Sequence, residues 1–287
     1  MRGYALGLYE KAMPSSLSWR EKLAFAKKAE YDFVEISIDE TEEKLARLDW
    51  SAEERTQLLD EMRFVGLPIR SMCLSGHRKY PLGDPDSAVR ERSLSIMERA
   101  IRLADDLGIR IIQLAGYDVY YKESSPETKA LFLDSLRQSV ELAARHGVLL
   151  GFETMETDFL NTVWKAMYYV NCVSSPYLGV YPDIGNLNNA AIAGKSDVLA
   201  DLASGQGHIF ALHLKPTKPG QFRDLYFDDP AQQVDFAAAI HTAWGLGVRR
   251  YVTELWCLDR PDWKTNIMTA CASMRALLDK EDRTHEG

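Results

Sequence analysis

At 287 residues, with 46% hydrophobic content, the chain is long for one ordinary domain but normal for a single α/β barrel, which takes roughly 250 residues. A formal net charge of -8 opposes nucleic acid as a partner, because a phosphate backbone needs clustered Lys and Arg, while a small phosphorylated ligand stays open, since a few well-placed cations hold one phosphate. Four separated cysteines, Cys73, Cys172, Cys257 and Cys271, with no C-x-x-C, exclude a zinc ribbon and a dense disulfide framework and read as reduced thiols of a cytoplasmic protein; no leader-like apolar stretch or run of 18 apolar residues suggests export or a membrane.

In chain order, a short apolar run, a polar loop and an amphipathic helical stretch alternate from end to end. The runs are YALGLY at 4–9, FVEISI at 33–38, IRSMCLSG at 69–76 and IRIIQLAG at 109–116. VLLGFET at 148–154, LGVYPDIG at 178–185, IFALHLKP at 209–216 and YVTELW at 251–256 complete the set of eight. Between them lie helical patterns such as SAEERTQLLDEMRFVG, with Ser18 or Ser51 at a start and Gly66, Gly108 or Gly147 just past an end. With no linker between units, the pattern predicts one (β/α)8 TIM barrel over 1–287 rather than an open sheet with a second domain. Only the tail KEDRTHEG, about 280–287, is expected to fray.

Such a barrel builds its active site at the C-terminal ends of its strands. The fifth run ends in Glu153, the sixth in Asp183, the seventh carries His213 and the eighth Glu254. Any one of these carboxylates alone reads as a loop or helix cap, and His213 alone as a structural histidine. Together, on consecutive strands, three carboxylates would repel one another unless a cation sat among them. A divalent metal resolves this, and the nitrogen and oxygen donors suit Zn, Mn, Co or Mg rather than a thiolate-seeking ion.

Asn186 is placed to bind a sugar hydroxyl, although GN is also an ordinary turn, and Glu156 reads equally well as a solvent-facing carboxylate. His77, Arg78, Lys79, Lys215 and Lys218 fall after the third and seventh runs, a concentration of cations that invites an anionic group. There is no G-x-S-x-G elbow, phosphate loop or dinucleotide fingerprint.

The stretches LGLYEKAMPSSLSW, FVEISIDETEEKLARLDWS, SMCLSGHRKYPLG, IIQLAGYDVYY, YPDIGNL and TKPG together resemble the L-ribulose-5-phosphate 3-epimerases, also described as L-xylulose-5-phosphate 3-epimerases, of the xylose-isomerase-like barrel superfamily. The resemblance runs from about residue 4 to 256 and implies interconversion of two ketopentose phosphates differing at carbon 3, in degradation of L-ascorbate and related sugars. It implies that Glu153, Asp183, His213 and Glu254 bind one divalent ion, Zn or Mn before Co or Mg, with Glu153 and Glu254 as the acid/base pair. A homodimer is the superfamily's expectation. The chain departs from the family in Pro216, where HVKD is usual, in DDPAQQVDF, which lacks the usual Gly-Glu-Gly before Val234, and in GFETMETDFLNT after the fifth run.

Three other readings compete. An abasic-site endonuclease would need a histidine-rich trinuclear zinc site, and this chain has 6 histidines and an acidic balance. An epimerase or isomerase of an unphosphorylated or longer sugar differs in phosphate dependence. A non-catalytic paralogue would bind sugar phosphate without exchanging protons.

Overall fold

The apolar runs fold as parallel strands, each followed by helical structure, in a computed structural model that describes residues 2–285. The first half comprises β1 (Ala5–Tyr9), α1 (Trp19–Lys28), β2 (Phe33–Ile38), α2 (Glu42–Ala46), α3 (Ala52–Val65), β3 (Ile69–Leu74), α4 (Ser87–Asp106), β4 (Ile111–Ala115) and α5 (Pro126–Arg145). The second comprises β5 (Leu149–Glu153), α6 (Val163–Val173), β6 (Leu178–Val180), α7 (Ile184–Gly194), α8 (Val198–Ala203), β7 (Leu212–Leu214), α9 (Phe236–Gly245), β8 (Arg250–Thr253) and α10 (Trp263–His285). The strands pair in the order β6-β5-β4-β3-β2-β1-β8-β7. Parallel bridges Val180 to Ile209 and Asp183 to His213 join the two edges and close the ring.

Capping chemistry sets the helix ends. Ser18 and Ser51 each form a capping box with the glutamate three residues on, Glu21 and Glu54. Gly66 ends α3 at φ 71°, a left-handed conformation that costs glycine nothing and a β-carbon something.

Strand parity then divides the core. Residues such as Leu6, Leu8, Ile36, Ile38, Met72, Leu74, Leu150 and Phe152 face the helices in one large apolar cluster. Their neighbours Tyr9, Phe33, Cys73, Ile111, Tyr181, Ala211 and Val252 form a smaller cluster, the inner layer of the barrel. One or two steps further along several strands, the same inward parity carries Glu35, Gln113, Glu153, Asp183, His213 and Glu254, all buried.

Two expectations change in detail. The sixth and seventh runs make ladders of only three residues each. The former stops because Pro182 has no N–H to donate, and its carbonyl instead accepts from His213 N–H at 2.9 Å. The tail expected to fray from about 280 is helical as far as His285, where Asp282 accepts from the Gly3 N–H; residues 286 and 287 lie outside the described residues. Among the described residues no helix is long and apolar enough to cross a membrane.

Candidate active site

Each of the four strand-end residues has a different backbone reason for its place. Glu153 closes β5, Glu254 follows β8 directly, and His213 is the middle residue of β7. Asp183 is the N-cap of α7, its side chain accepting from Asn186 N–H at 2.7 Å. Gly185 lets that first turn approach β7, since a β-carbon there would stand 2.6 Å from both the Lys215 carbonyl oxygen and Thr217 Cγ2. One donor atom from each of Glu153, Asp183, His213 and Glu254 lies within 4.8 Å of all the others. The imidazole nitrogen facing the carboxylates is Nδ1, at 2.9 Å from Glu254, 3.8 Å from Asp183 and 4.0 Å from Glu153.

These carboxylates are buried, which makes their charges interact strongly. Burial, reinforced by the Glu254 charge, pushes the Glu153 carboxyl well above the usual range. Burial likewise pushes Asp183 up to about 7, against the pull of Lys215. Glu254 goes the other way, because Lys215 and His213 outweigh its burial and hold it ionised. The Lys215 ammonium lies 3.0 Å from Asp183 Oδ2 and 3.6 Å from Glu254, yet Asp183 Oδ2 has no aligned hydrogen bond. Three carboxylates and one imidazole around a buried, under-satisfied oxygen fit a divalent cation of the Zn, Mn, Co or Mg type. Cys73, nearby, is kept neutral by burial and by Glu153 and offers no thiolate.

A cavity of about 420 Å³ opens onto this cluster. Of the sequence-predicted contact residues, Asn186, Arg78 and Lys215 line it, as does Glu156. Asn186 donates through Nδ2 to the Thr154 carbonyl at 2.7 Å and leaves its buried Oδ1 without a partner. Arg78 stacks on Tyr120, 4.8 Å from the ring centre, and its buried Nε has no acceptor. Lys215 faces the cavity but is engaged with Asp183 and Glu254.

The other expected cations sit elsewhere. Lys79 points outward to Glu42 at 2.9 Å, and Lys218 does not line the cavity. The His77 ring is turned inward and donates through Nε2 to the Ser93 carbonyl at 3.2 Å. Burial lowers its pKa from 6.5 to about 4, so the unfolded chain binds a proton between those values that the native ring refuses. Stability is therefore complete above pH 6.5, falls as pH drops through this window and is reduced by about 3 kcal/mol once pH lies below the native pKa. The melting temperature is expected to fall more between pH 7 and 4 for the wild type than for His77→Gln; parallel curves would contradict this.

Other residues at the site escape strand-end reading. Lys11, Arg223 and Trp256 line the cavity, Trp256 Nε1 donating to Glu254 at 3.1 Å. Gln113 Nε2 lies 3.1 Å from His213 Nδ1. Glu35, in the middle of β2, places Oε1 2.6 Å from His213 Nε2. Its signal is a charged residue inside an apolar run, at the parity of Phe33 and Ser37.

Comparison with known proteins matches the family model described as xylose isomerase-like TIM barrel to residues 23–277. The L-ribulose-5-phosphate 3-epimerase UlaE of Shigella flexneri is 44% identical over 276 residues, covering 96% of this chain and 95% of the relative. UlaE of Escherichia coli (strain SMS-3-5 / SECEC) matches with the same identity and coverage. Among solved structures, an L-ribulose 3-epimerase superposes with a TM-score of 0.78 at 18% identity, over 99% of this chain and 97% of that one. A D-allulose 3-epimerase from Methylomonas sp., in complex with D-allulose, gives 0.76 at 16%, over 96% and 98%. At such identities the structures speak for the fold.

Proposed function

This chain belongs to the xylose isomerase-like TIM barrel family, and we propose that it is a metal-dependent 3-epimerase interconverting L-ribulose 5-phosphate and L-xylulose 5-phosphate. The observation that carries this reading is the meeting of Glu153 and Glu254, from strands on different sides of the ring, in one buried cluster with Asp183 and His213.

The proton on carbon 3 is acidified by the neighbouring carbon 2 ketone. A carboxylate takes it, the C–H electron pair moves toward the carbonyl, and an enediolate results. Inversion requires a proton to return from the opposite face, so a second carboxyl group must flank the sugar. Glu153 and Glu254 are assigned these roles, exchanging them with the direction of reaction. Asp183 and His213 complete the ligand set. A divalent ion held by the four, Zn or Mn in preference to Co or Mg, supplies Lewis-acid stabilisation of the developing negative charge, worth several kcal/mol.

Asn186 Oδ1, unpartnered at the cavity wall, is assigned to accept from a sugar hydroxyl. The phosphate is assigned to Arg78 and Lys11, which line the cavity at the C-terminal ends of β3 and β1. Arg78 is pre-ordered by its tyrosine stack and has a donor to spare, as a phosphate ligand should. Lys11 stands 4.6 Å from the Trp256 ring centre and is held by Asp39 at 2.6 Å. We place the enzyme in the cytoplasm, as a homodimer, in the degradation of L-ascorbate and related sugars.

Deuterium incorporation at carbon 3 in heavy water, for L-ribulose 5-phosphate beside L-ribulose, tests the reading. Exchange with epimer formation is expected, faster for the phosphorylated sugar. Arg78→Ala is expected to raise KM for that sugar about 10- to 100-fold, as loss of a charge-assisted hydrogen bond does, leaving L-ribulose turnover unchanged. Equal kcat/KM for the two sugars would overturn the phosphate assignment, and no exchange with either would leave a binding role.

A further inference from the structure

We infer that Glu35 is the positioning residue for His213, fixing the imidazole so that Nδ1 is presented to the cation; the inference rests on the metal-site reading above. Glu35 is fully buried at the centre of the barrel, in register with Tyr9 of β1 and Ser71 of β3. Its Oε1 lies 2.6 Å from His213 Nε2, and its Oε2 accepts from Ser71 Oγ at 2.7 Å and from Tyr181 OH at 2.9 Å. A carboxylate at such a place is costly unless its oxygens are satisfied. Here one oxygen is anchored by two hydroxyls, leaving the other for the imidazole alone.

The consequence for the imidazole is directional. The nitrogen on Glu35 must carry a proton, because two facing acceptors would repel. Nδ1 is then the nitrogen that can give up a proton to a cation, and it is the one that faces Glu153, Asp183 and Glu254. Tyr181 adds a second restraint: it donates to Glu35 while its ring packs edge-on against the imidazole, 5.0 Å between centres at 72°. A carboxylate behind a ligand histidine fixes the tautomer and ring plane and raises the basicity of the ligating nitrogen. Losing it typically weakens metal affinity 10- to 100-fold.

The test is metal affinity, measured by competition with a chromophoric chelator for Zn(II) and Mn(II), on wild type and Glu35→Gln. The variant is expected to bind about 10- to 100-fold more weakly per folded molecule, and its activity to recover as metal is raised, which a folding defect would not do. Wild-type affinity in Glu35→Gln overturns the role of Glu35 alone. Failure of the wild type to take up either ion overturns the metal reading and this inference together. Should Glu35→Gln not fold, Tyr181→Phe and Ser71→Ala keep the carboxylate but loosen it; about threefold weaker binding is expected of each, a fraction of what a hydrogen bond to a charged group is worth, and unchanged affinity in both overturns the assignment.

Discussion

Glu254→Gln is expected to reduce epimerisation of L-ribulose 5-phosphate about 1000-fold, within the range that loss of a general base produces. The amide keeps the volume and an oxygen for Trp256 Nε1, which donates to Glu254 at 3.1 Å, so the barrel rim should stay in place. What it loses is the ability to hold a proton. Glu153→Gln is expected to do the same from the other side. The informative readout is isotopic: if two carboxylates work on opposite faces, each single variant retains one base and can wash deuterium into only one of the two epimers, without inversion. Since both residues are also proposed metal ligands, metal content must be measured in each variant, and the comparison made on fully loaded protein. Deuterium entering both epimers at equal rates in Glu254→Gln would show that a single base reaches both faces, and the two-carboxylate mechanism would fall.

How much of this was legible before the structure depends on the residue. The eight units were readable because each apolar run is followed by a helical pattern with its own caps, and reading strand ends led to Glu153, Asp183, His213 and Glu254. Glu35 and Gln113 escaped because that reading stopped at the ends. Period-2 parity places Glu35 with Phe33 and Ser37 on the inward face of β2, so a charge inside FVEISI was already a signal. The cations of SGHRKY were harder. Gly76–Arg78 form a 3-10 turn, in which successive side chains diverge by about 120°. His77 therefore turns into the protein, Arg78 toward the cavity and Lys79 out to Glu42. Arg223 depends on a long loop after β7, where no period exists to be read.

Chelation is the second large effect. Removing the divalent ion is expected to abolish carbon 3 exchange and to lower the melting temperature by roughly 10 °C, with both restored by Zn or Mn. The stability figure follows from linkage: an ion at a thousand times its Kd contributes about 4 kcal/mol, and each kcal/mol is worth roughly 2–4 °C in a domain near this size. The physical source is the cluster itself. Without the ion, Glu153, Asp183 and Glu254 have only Lys215 and an imidazolium to balance them, and the strain of that balance is visible in Glu153 and Asp183, both pushed upward by burial. Chelation should therefore also make the protein take up protons, measurable in unbuffered solution. If a chelated protein, verified free of metal, kept its exchange rate and melting temperature, the ammonium of Lys215, 3.0 Å from Asp183, would become the cation on which the chemistry depends, and Lys215→Met rather than chelation would be the change that stops it.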